Sequence, residues 1–138
     1  MKRAFAVLLL APVLACGGGG PTGTTSARLG EPFDLRPGEV AFVSSGLRVE
    51  FLGVVSDSRC PTGVQCIWEG DATVRLTVLS NGRRTLELHT SARFDQEAAF
   101  DGYLIALEGV DPQPSAGVPI PPADYVARLR VDRRTPHS

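Results

Sequence analysis

Residues 72–89 read ATVRLTVLSNGRRTLELH, and this stretch decides the fold class. Apolar and polar side chains alternate over residues 72–78, as they do in a β-strand that has one buried face. The dipeptide Asn81-Gly82 is a preferred sequence for the tight turn that joins two antiparallel strands. The alternation then resumes over residues 85–89. The stretch therefore predicts a β-hairpin whose two strands face one core.

The same two-residue period recurs on both sides of the hairpin. No segment has the period of a long helix, and the one candidate for a short helical turn is residues 95–100, with Asp95 as its cap. We therefore expect an all-β domain of about six to seven strands, folded as a single antiparallel β-sandwich or a small barrel. Further strands are predicted at residues 33–36, 39–43, 47–55, 103–107 and 125–131.

Large apolar side chains at alternate positions of these strands are predicted to form the core. Successive side chains of a strand point to opposite faces of its sheet, so one set of alternate residues is buried together. The predicted inward-facing residues are Val40, Phe42, Leu47, Val49, Phe51, Val74, Leu76, Val78, Leu86, Leu88, Ile105, Leu107, Tyr125, Leu129 and Val131.

The connection over residues 111–123 is rich in proline. We interpret it as a stiff crossover between the two sheets. The alternative is a polyproline-type segment that a partner recognises.

The composition is that of a folded domain rather than a disordered chain. The chain has 138 residues, of which 43% are hydrophobic and 21% are charged, and this length suits one domain. A formal net charge of -1 provides no field that would attract nucleic acid. Arg128 and Arg130 share one strand face, but no aromatic residue lies between them to stack on bases. We therefore expect a monomer that does not bind nucleic acid.

The N-terminal residues 1–15 are typical of an export signal. Lys2 and Arg3 form a positive start, and residues 4–15 are apolar. As a helix, this apolar segment would span about 18 Å, which is much shorter than a hydrocarbon core of about 30 Å. The pattern therefore predicts a secretory signal peptide and an exported protein rather than a transmembrane helix.

The sequence Val13-Leu14-Ala15-Cys16 resembles the lipobox of bacterial lipoproteins. The resemblance implies that Cys16 carries fatty-acyl chains such as palmitate and becomes the N-terminus after cleavage, so that the protein binds the membrane through this lipid. Gly17 follows the cysteine, and in a Gram-negative organism this residue favours the outer membrane. An ordinary signal peptide that happens to end beside a cysteine is the alternative. Residues 16–29 are then the lipidated cysteine and a flexible tether rich in Gly, Thr and Ser, followed by the domain at 30–133 and a tail at 134–138.

Cys60 and Cys66 remain as a pair once Cys16 is assigned to lipid. An exported protein meets an oxidising compartment, where such a pair would form a disulfide. The alternatives are a redox pair or half of a metal site. A redox motif has two residues between its cysteines, however, and only His89 and His137 are available as further histidine ligands. We therefore expect a structural disulfide, with no metal and no cofactor.

The densest motif is residues 57–72, DSRCPTGVQCIWEGDA. An SRCP…CxWxG segment of this type resembles that of uncharacterised, β-rich bacterial envelope lipoproteins. This resemblance implies a fold and a location but no activity. In a structural interpretation, which we prefer, Trp68 caps the core, Gly70 occupies a crowded or left-handed position, and Arg59 pairs with Asp57, Glu69 or a loop carbonyl. In a binding interpretation, Trp68 is a stacking platform, and Arg59, Glu69 and Asp71 are polar contacts.

Signatures of enzymes are not found. Ser56 and Ser58 lack the context of a hydrolase nucleophile, and His89 is expected on the solvated face of its strand. The acidic residues of the motif do not have the spacing of a calcium loop. We expect a lipid-anchored, non-catalytic binding module of the cell envelope that contacts an envelope protein or a surface ligand. A purely structural envelope component, or a hydrolase or metal-dependent enzyme, is the alternative.

Overall fold

The computed structural model describes residues 23–43 and 46–135. The predicted signal peptide, Cys16, Gly17 and His137 lie outside the described residues. The described chain contains nine strands and one short 3-10 turn, so the all-β class is confirmed. The strands are β1 (Thr24–Ala27), β2 (Phe33–Leu35), β3 (Val40–Val43), β4 (Leu47–Asp57), β5 (Ala72–Leu79), β6 (Arg83–His89), β7 (Glu97–Phe100), β8 (Tyr103–Asp111) and β9 (Val126–Arg133).

The strands form two sheets that pack as a β-sandwich. One sheet has the order β1-β3-β4-β5-β6, and the other has the order β2-β9-β8-β7. Every strand pair is antiparallel except β1 with β3, which is parallel. The sheets do not close into a barrel, so the sandwich is the correct one of the two predicted architectures. No helix among residues 23–43 and 46–135 is long and apolar enough to cross a membrane.

The predicted hairpin is confirmed as β5 and β6. Its register pairs Leu76 with Leu86 and Val74 with Leu88, and these four side chains are buried. Gly82 lies in the turn with a φ of 155°. The alternation of the sequence therefore places one face of the hairpin in the core, as expected.

The predicted core is confirmed except in β3, where the opposite face is buried. Ala41 and Val43 are buried, whereas Phe42 is 48% exposed and Val40 is only partly buried. All four residues of β3 are apolar, so alternation could not identify the inner face. Pairing with β4 determines it instead, because residues directly opposite each other share a face and Ala41 lies opposite the fully buried Val49.

Two strands replace elements that the sequence predicted differently. The tether predicted over residues 16–29 is wrong for Thr24–Ala27, which is β1 and pairs with β3, and the domain therefore begins before residue 30. The helical turn predicted at residues 95–100 is also wrong, because Glu97–Phe100 forms the edge strand β7 against β8. Both segments are short. Pairing with a strand that is distant in sequence makes Thr24–Ala27 a strand, whereas Glu97–Phe100 forms a hairpin with β8 through the two-residue turn Asp101-Gly102, both of whose φ angles are positive.

Three connections meet at one end of the sandwich, which we call the loop end: residues 58–71, 90–96 and 112–125. The third joins the adjacent antiparallel strands β8 and β9, so its interpretation as a crossover between sheets is wrong. The backbone N–H of Thr62 donates to the carbonyl oxygen of Pro114 at 2.8 Å. The proline-rich connection is therefore tied to the disulfide loop of the other sheet.

Candidate functional site

The predicted disulfide between Cys60 and Cys66 is present, with a Cα–Cα distance of 5.9 Å. It closes a short loop beyond the ends of β4 and β5. The base of this loop continues the strand pairing, since the backbone N–H of Cys60 donates to the carbonyl oxygen of Glu69 at 2.9 Å. The loop therefore has a fixed base and a covalent closure.

Gly70 fits the base of the loop because no side chain can be placed there. Its φ is +74°, in the left-handed region that favours glycine. A Cβ atom would lie 1.9 Å from the carbonyl oxygen of Ser58, far closer than van der Waals contact allows. The expectation of a crowded, left-handed glycine is confirmed.

Arg59 is held in a buried network that joins the two sheets. Its Nε and Nη2 atoms donate to the two carboxylate oxygens of Asp57 at 2.8 and 2.7 Å. Nη1 donates to the carbonyl oxygen of Val110 at 2.6 Å, and Nη2 donates to that of Pro112 at 3.0 Å. The side chain is only 8% exposed. The predicted pairing is thus confirmed, and the guanidinium group is engaged inside the protein rather than presented as a binding contact.

Asp57 remains ionised within this network. Burial raises the pKa of its carboxyl group, but hydrogen bonds from Arg59, the positive charge of Arg59 and a hydrogen bond from Tyr125 together hold that pKa below its usual value. The hydroxyl of Tyr125 donates to Asp57 at 3.0 Å. Burial and the Asp57 carboxylate in turn raise the pKa of Tyr125. Both groups therefore keep their ordinary neutral-pH charge states.

Asp71 is the centre of a second network, on the β5–β6 side of the loop end. One carboxylate oxygen lies 2.6 Å from His89 Nδ1 and also accepts from Thr73, and the other accepts from the backbone N–H of Ser91 at 3.0 Å and from Thr90. The Asp71 side chain is 10% exposed. The predicted binding residue therefore organises the connection after β6.

The charge of Asp71 is also stabilised by its surroundings. Burial raises the pKa of its carboxyl group, but the hydrogen bond from His89, the hydrogen bond from the Ser91 backbone and the contact with Thr73 outweigh burial and lower that pKa. His89 itself is 22% exposed and packs beside the ring of Phe94, at a centroid distance of 4.9 Å. The prediction of a solvated surface histidine is therefore wrong.

The register of the hairpin contains the signal that could have located this network. Residues 80–82 form the turn, which pairs Leu79 with Arg83 and Thr73 with His89, and directly opposed residues share one face. Asp71 precedes Thr73 by two residues, so it lies on the same side of the chain. Matching the apolar faces of the two strands, with Val74 opposite Leu88, gives this register and leads to the contact between Asp71 and His89, whereas a two-residue turn at Asn81-Gly82 would shift the register by one residue.

An open cleft with about 580 Å³ of empty space lies between these two networks. Its wall includes Glu69, whose side chain accepts a hydrogen bond from the Ser91 hydroxyl at 2.7 Å. Glu69 is exposed and borders the cleft, so it is the predicted polar residue best placed to contact a ligand. Among the residues that the structure describes, no group of three or more His, Cys, Asp or Glu could hold a metal ion.

Trp68 lies outside the core, and its prediction as a cap is wrong. The side chain is 39% exposed, and the buried core cluster includes no residue of the disulfide loop. Ile120 and Tyr125, from the proline-rich connection, pack at the core in its place. The guanidinium carbon of Arg93 lies 5.3 Å from the centre of the Trp68 ring. This arrangement matches the stacking platform of the binding interpretation.

Sequence reasoning missed the other exposed apolar side chains of the loop end. Ile67 is 106% exposed, and Val64, Phe94 and Val118 are also exposed. Val64 and Ile67 lie within the motif, and Arg93 and Phe94 lie in a short connection whose position depends on the topology. No local pattern in the sequence indicates that these connections lie at the same end.

No protein-family model matches the chain, and no curated protein or solved structure is similar enough to match it.

Proposed function

We propose that this chain is a lipid-anchored, non-catalytic binding module of the cell envelope, with its recognition surface at the loop end. The observation that carries the proposal is the exposure of Ile67 and Trp68, which lie between the disulfide at Cys66 and the hydrogen-bonded base of the loop at Glu69. Clusters of exposed apolar side chains are typical of interaction sites, and tryptophan is enriched among the residues that dominate binding energy. Because this segment is held by the disulfide on one side and by a backbone hydrogen bond on the other, less ordering is needed when a partner binds.

The polar networks support a structural use of the acidic residues rather than catalysis. Asp57 and Asp71 are both hydrogen-bonded within the protein and have lowered pKa values. A general acid or base works best when its pKa lies near the working pH, and a lowered carboxyl pKa is further from neutrality. The two carboxylates are therefore suited to holding the loops in place.

The lipobox-like sequence that ends at Cys16 supports the proposed location. Two or more acyl chains anchor a protein stably, whereas one chain binds only marginally. Acylation at this cysteine would keep the domain at the membrane without a transmembrane segment.

Site-specific crosslinking in intact cells tests the recognition surface. A photoreactive amino acid replaces Ile67 in the full-length chain, and a second variant carries it at Leu52 on β4 as the matched control. Leu52 is 43% exposed but lies away from the loop end. The proposal expects strong adducts, with lipid or protein, from position 67 and weak ones from position 52. Equal yields from both positions would contradict a recognition surface at the loop end and favour a purely structural component.

A further inference from the structure

The exposed apolar side chains of the loops are concentrated at one end of the molecule. The three connections of the loop end carry Val64, Ile67, Trp68, Phe94 and Val118, all at least 39% exposed. The other large exposed apolar residues among the described part of the chain, Phe42, Leu52, Val55 and Leu79, are on strands. The loop end therefore presents the apolar residues that project beyond the sheets.

The first residue of β1 is at the end of that strand that lies nearer to the loop end. Thr24 lies opposite Val40, and Val40 lies opposite Glu50. From Glu50, β4 runs to Asp57 and into the disulfide loop. Because β1 runs antiparallel to β4, going backwards along β1 toward Thr24 means going toward the loop end. A chain that continued in this direction beyond Gly23 would reach the level of the exposed apolar side chains.

The length of the tether is sufficient to bring the lipid to the same level. The seven residues from Glu50 to Asp57 advance about 23 Å along the strand. The seven residues from Cys16 to Gly23 can span at most about 25 Å. An acylated Cys16 can therefore lie level with the loop end when the tether follows the direction of β1. Bringing the opposite end to the membrane would require the tether to turn back along the strand.

The side chains at this end have the chemistry of a membrane interface. The tryptophan ring combines a large apolar surface with a polar N–H group and is enriched where headgroups meet acyl chains. Arg93 stacks on the Trp68 ring, and an arginine at this depth can bury its stem and keep its charge among the headgroups. Ile67, with its whole side chain exposed, is suited to burial in the acyl region.

We infer that the loop end docks on the bilayer that holds the lipid anchor, with Val64, Ile67 and Trp68 inserted into the interface and Arg93 among the headgroups. This inference rests on the proposed function, because it identifies the partner of the proposed recognition surface as a lipid surface and requires acylation at Cys16. Docking gives the domain a fixed orientation above the membrane, with the loop end facing lipid.

The chain contains a single tryptophan, so its fluorescence reports directly on the inferred contact. The lipidated full chain is purified in detergent and reconstituted into vesicles of phosphatidylethanolamine and phosphatidylglycerol. Vesicle flotation measures anchoring. Quenching by acyl-brominated lipid and by aqueous acrylamide then measures the depth of Trp68. We expect the emission to shift to shorter wavelength, quenching by brominated lipid to be strong, and quenching by acrylamide to fall severalfold relative to the unacylated Cys16→Ser protein in solution.

Two variants distinguish insertion of the loop end into the bilayer from a position merely close to the bilayer. Ile67→Ser should restore access of acrylamide to Trp68, while the matched Leu52→Ser should not. If the wild-type protein floats with the vesicles but Trp68 stays open to acrylamide and is not quenched by brominated lipid, the docking inference is overturned and the anchor stands. If the wild-type protein does not float, both the anchor and the docking are overturned. Crosslinks in cells from position 67 to a protein, with none to phospholipid, would also overturn docking on lipid.

Discussion

Removal of the Asp71 carboxylate should lower the free energy of unfolding more than removal of an exposed charged side chain does. In Asp71→Ala, the backbone N–H of Ser91 loses its partner, and Ser91 is only 2% exposed. An unsatisfied buried donor costs about 1–3 kcal/mol. The hydrogen bond between His89 and Asp71 is also lost, but its contribution is smaller than for a fully buried pair, because His89 is 22% exposed. We expect a loss of about 3 kcal/mol in the free energy of unfolding at neutral pH.

Urea unfolding of the lipid-free Cys16→Ser chain measures this loss, and an unchanged slope with urea would show that the comparison concerns stability alone. The matched control is Glu87→Ala, which removes a carboxylate from the exposed pair between Arg75 and Glu87 on the same hairpin. Exposed pairs contribute little, so this variant should stay within about 0.5 kcal/mol of the parent. A loss of less than about 1 kcal/mol in Asp71→Ala would refute the assignment of Asp71 as the organiser of the loop end.

The pH dependence of the same variant has a definite sign. The pKa of Asp71 is lowered in the folded protein, so the folded state binds fewer protons at this group than the unfolded state near pH 4. The stabilisation by Asp71 is therefore complete above the unfolded pKa of about 3.9 and is lost as the pH falls through the lower folded value. The stability difference between parent and Asp71→Ala should accordingly shrink in acid. A difference that stays constant from neutral pH down to strong acid would contradict an ionised Asp71.

Three further predictions concern the anchor, the loop base and the buried arginine. The Cys16→Ser protein should take up no acyl label in cells and should partition into the aqueous phase of a detergent extraction. Gly70→Ala should lower the urea midpoint far more than Gly63→Ala, because both glycines have positive φ but only position 70 would place Cβ against a backbone oxygen. Arg59→Met should cost about 3–5 kcal/mol, since it leaves a buried carboxylate unpaired, while Arg75→Met on the exposed pair should cost less than about 1 kcal/mol.

The local sequence pattern predicted the β5–β6 hairpin better than the short edge strands. The hairpin of β5 and β6 follows from alternation and from Asn81-Gly82, because both are local properties of the chain. The strand Thr24–Ala27 has no such signal and exists through its pairing with β3, which lies more than a dozen residues away. The buried face of β3 is likewise decided by its partner strand. The edge strand Glu97–Phe100 differs, because the Asp101-Gly102 turn that joins it to β8 is a local hairpin signal, and the prediction of a helical turn there overlooks it.

The candidate site was predictable where its contacts are close in sequence. Asp57 and Arg59 are two residues apart, and their pairing was expected. The exposure of Trp68 is instead a matter of tertiary packing, in which Ile120 of the proline-rich connection packs against the core and Trp68 does not. No property of the motif alone indicates which of these side chains closes the core.

The two buried networks and the exposed apolar residues have complementary roles at the loop end. Arg59 and Asp71 were candidates for ligand contacts, but each is bonded to several groups of the protein itself. Their networks tie the connections of both sheets to the base of the disulfide loop, while Ile67 and Trp68 project from that base. A rigid support reduces the entropy that an apolar surface loses when it binds. Substitutions in the networks should therefore affect stability and surface contact together, whereas Ile67→Ser should affect surface contact alone.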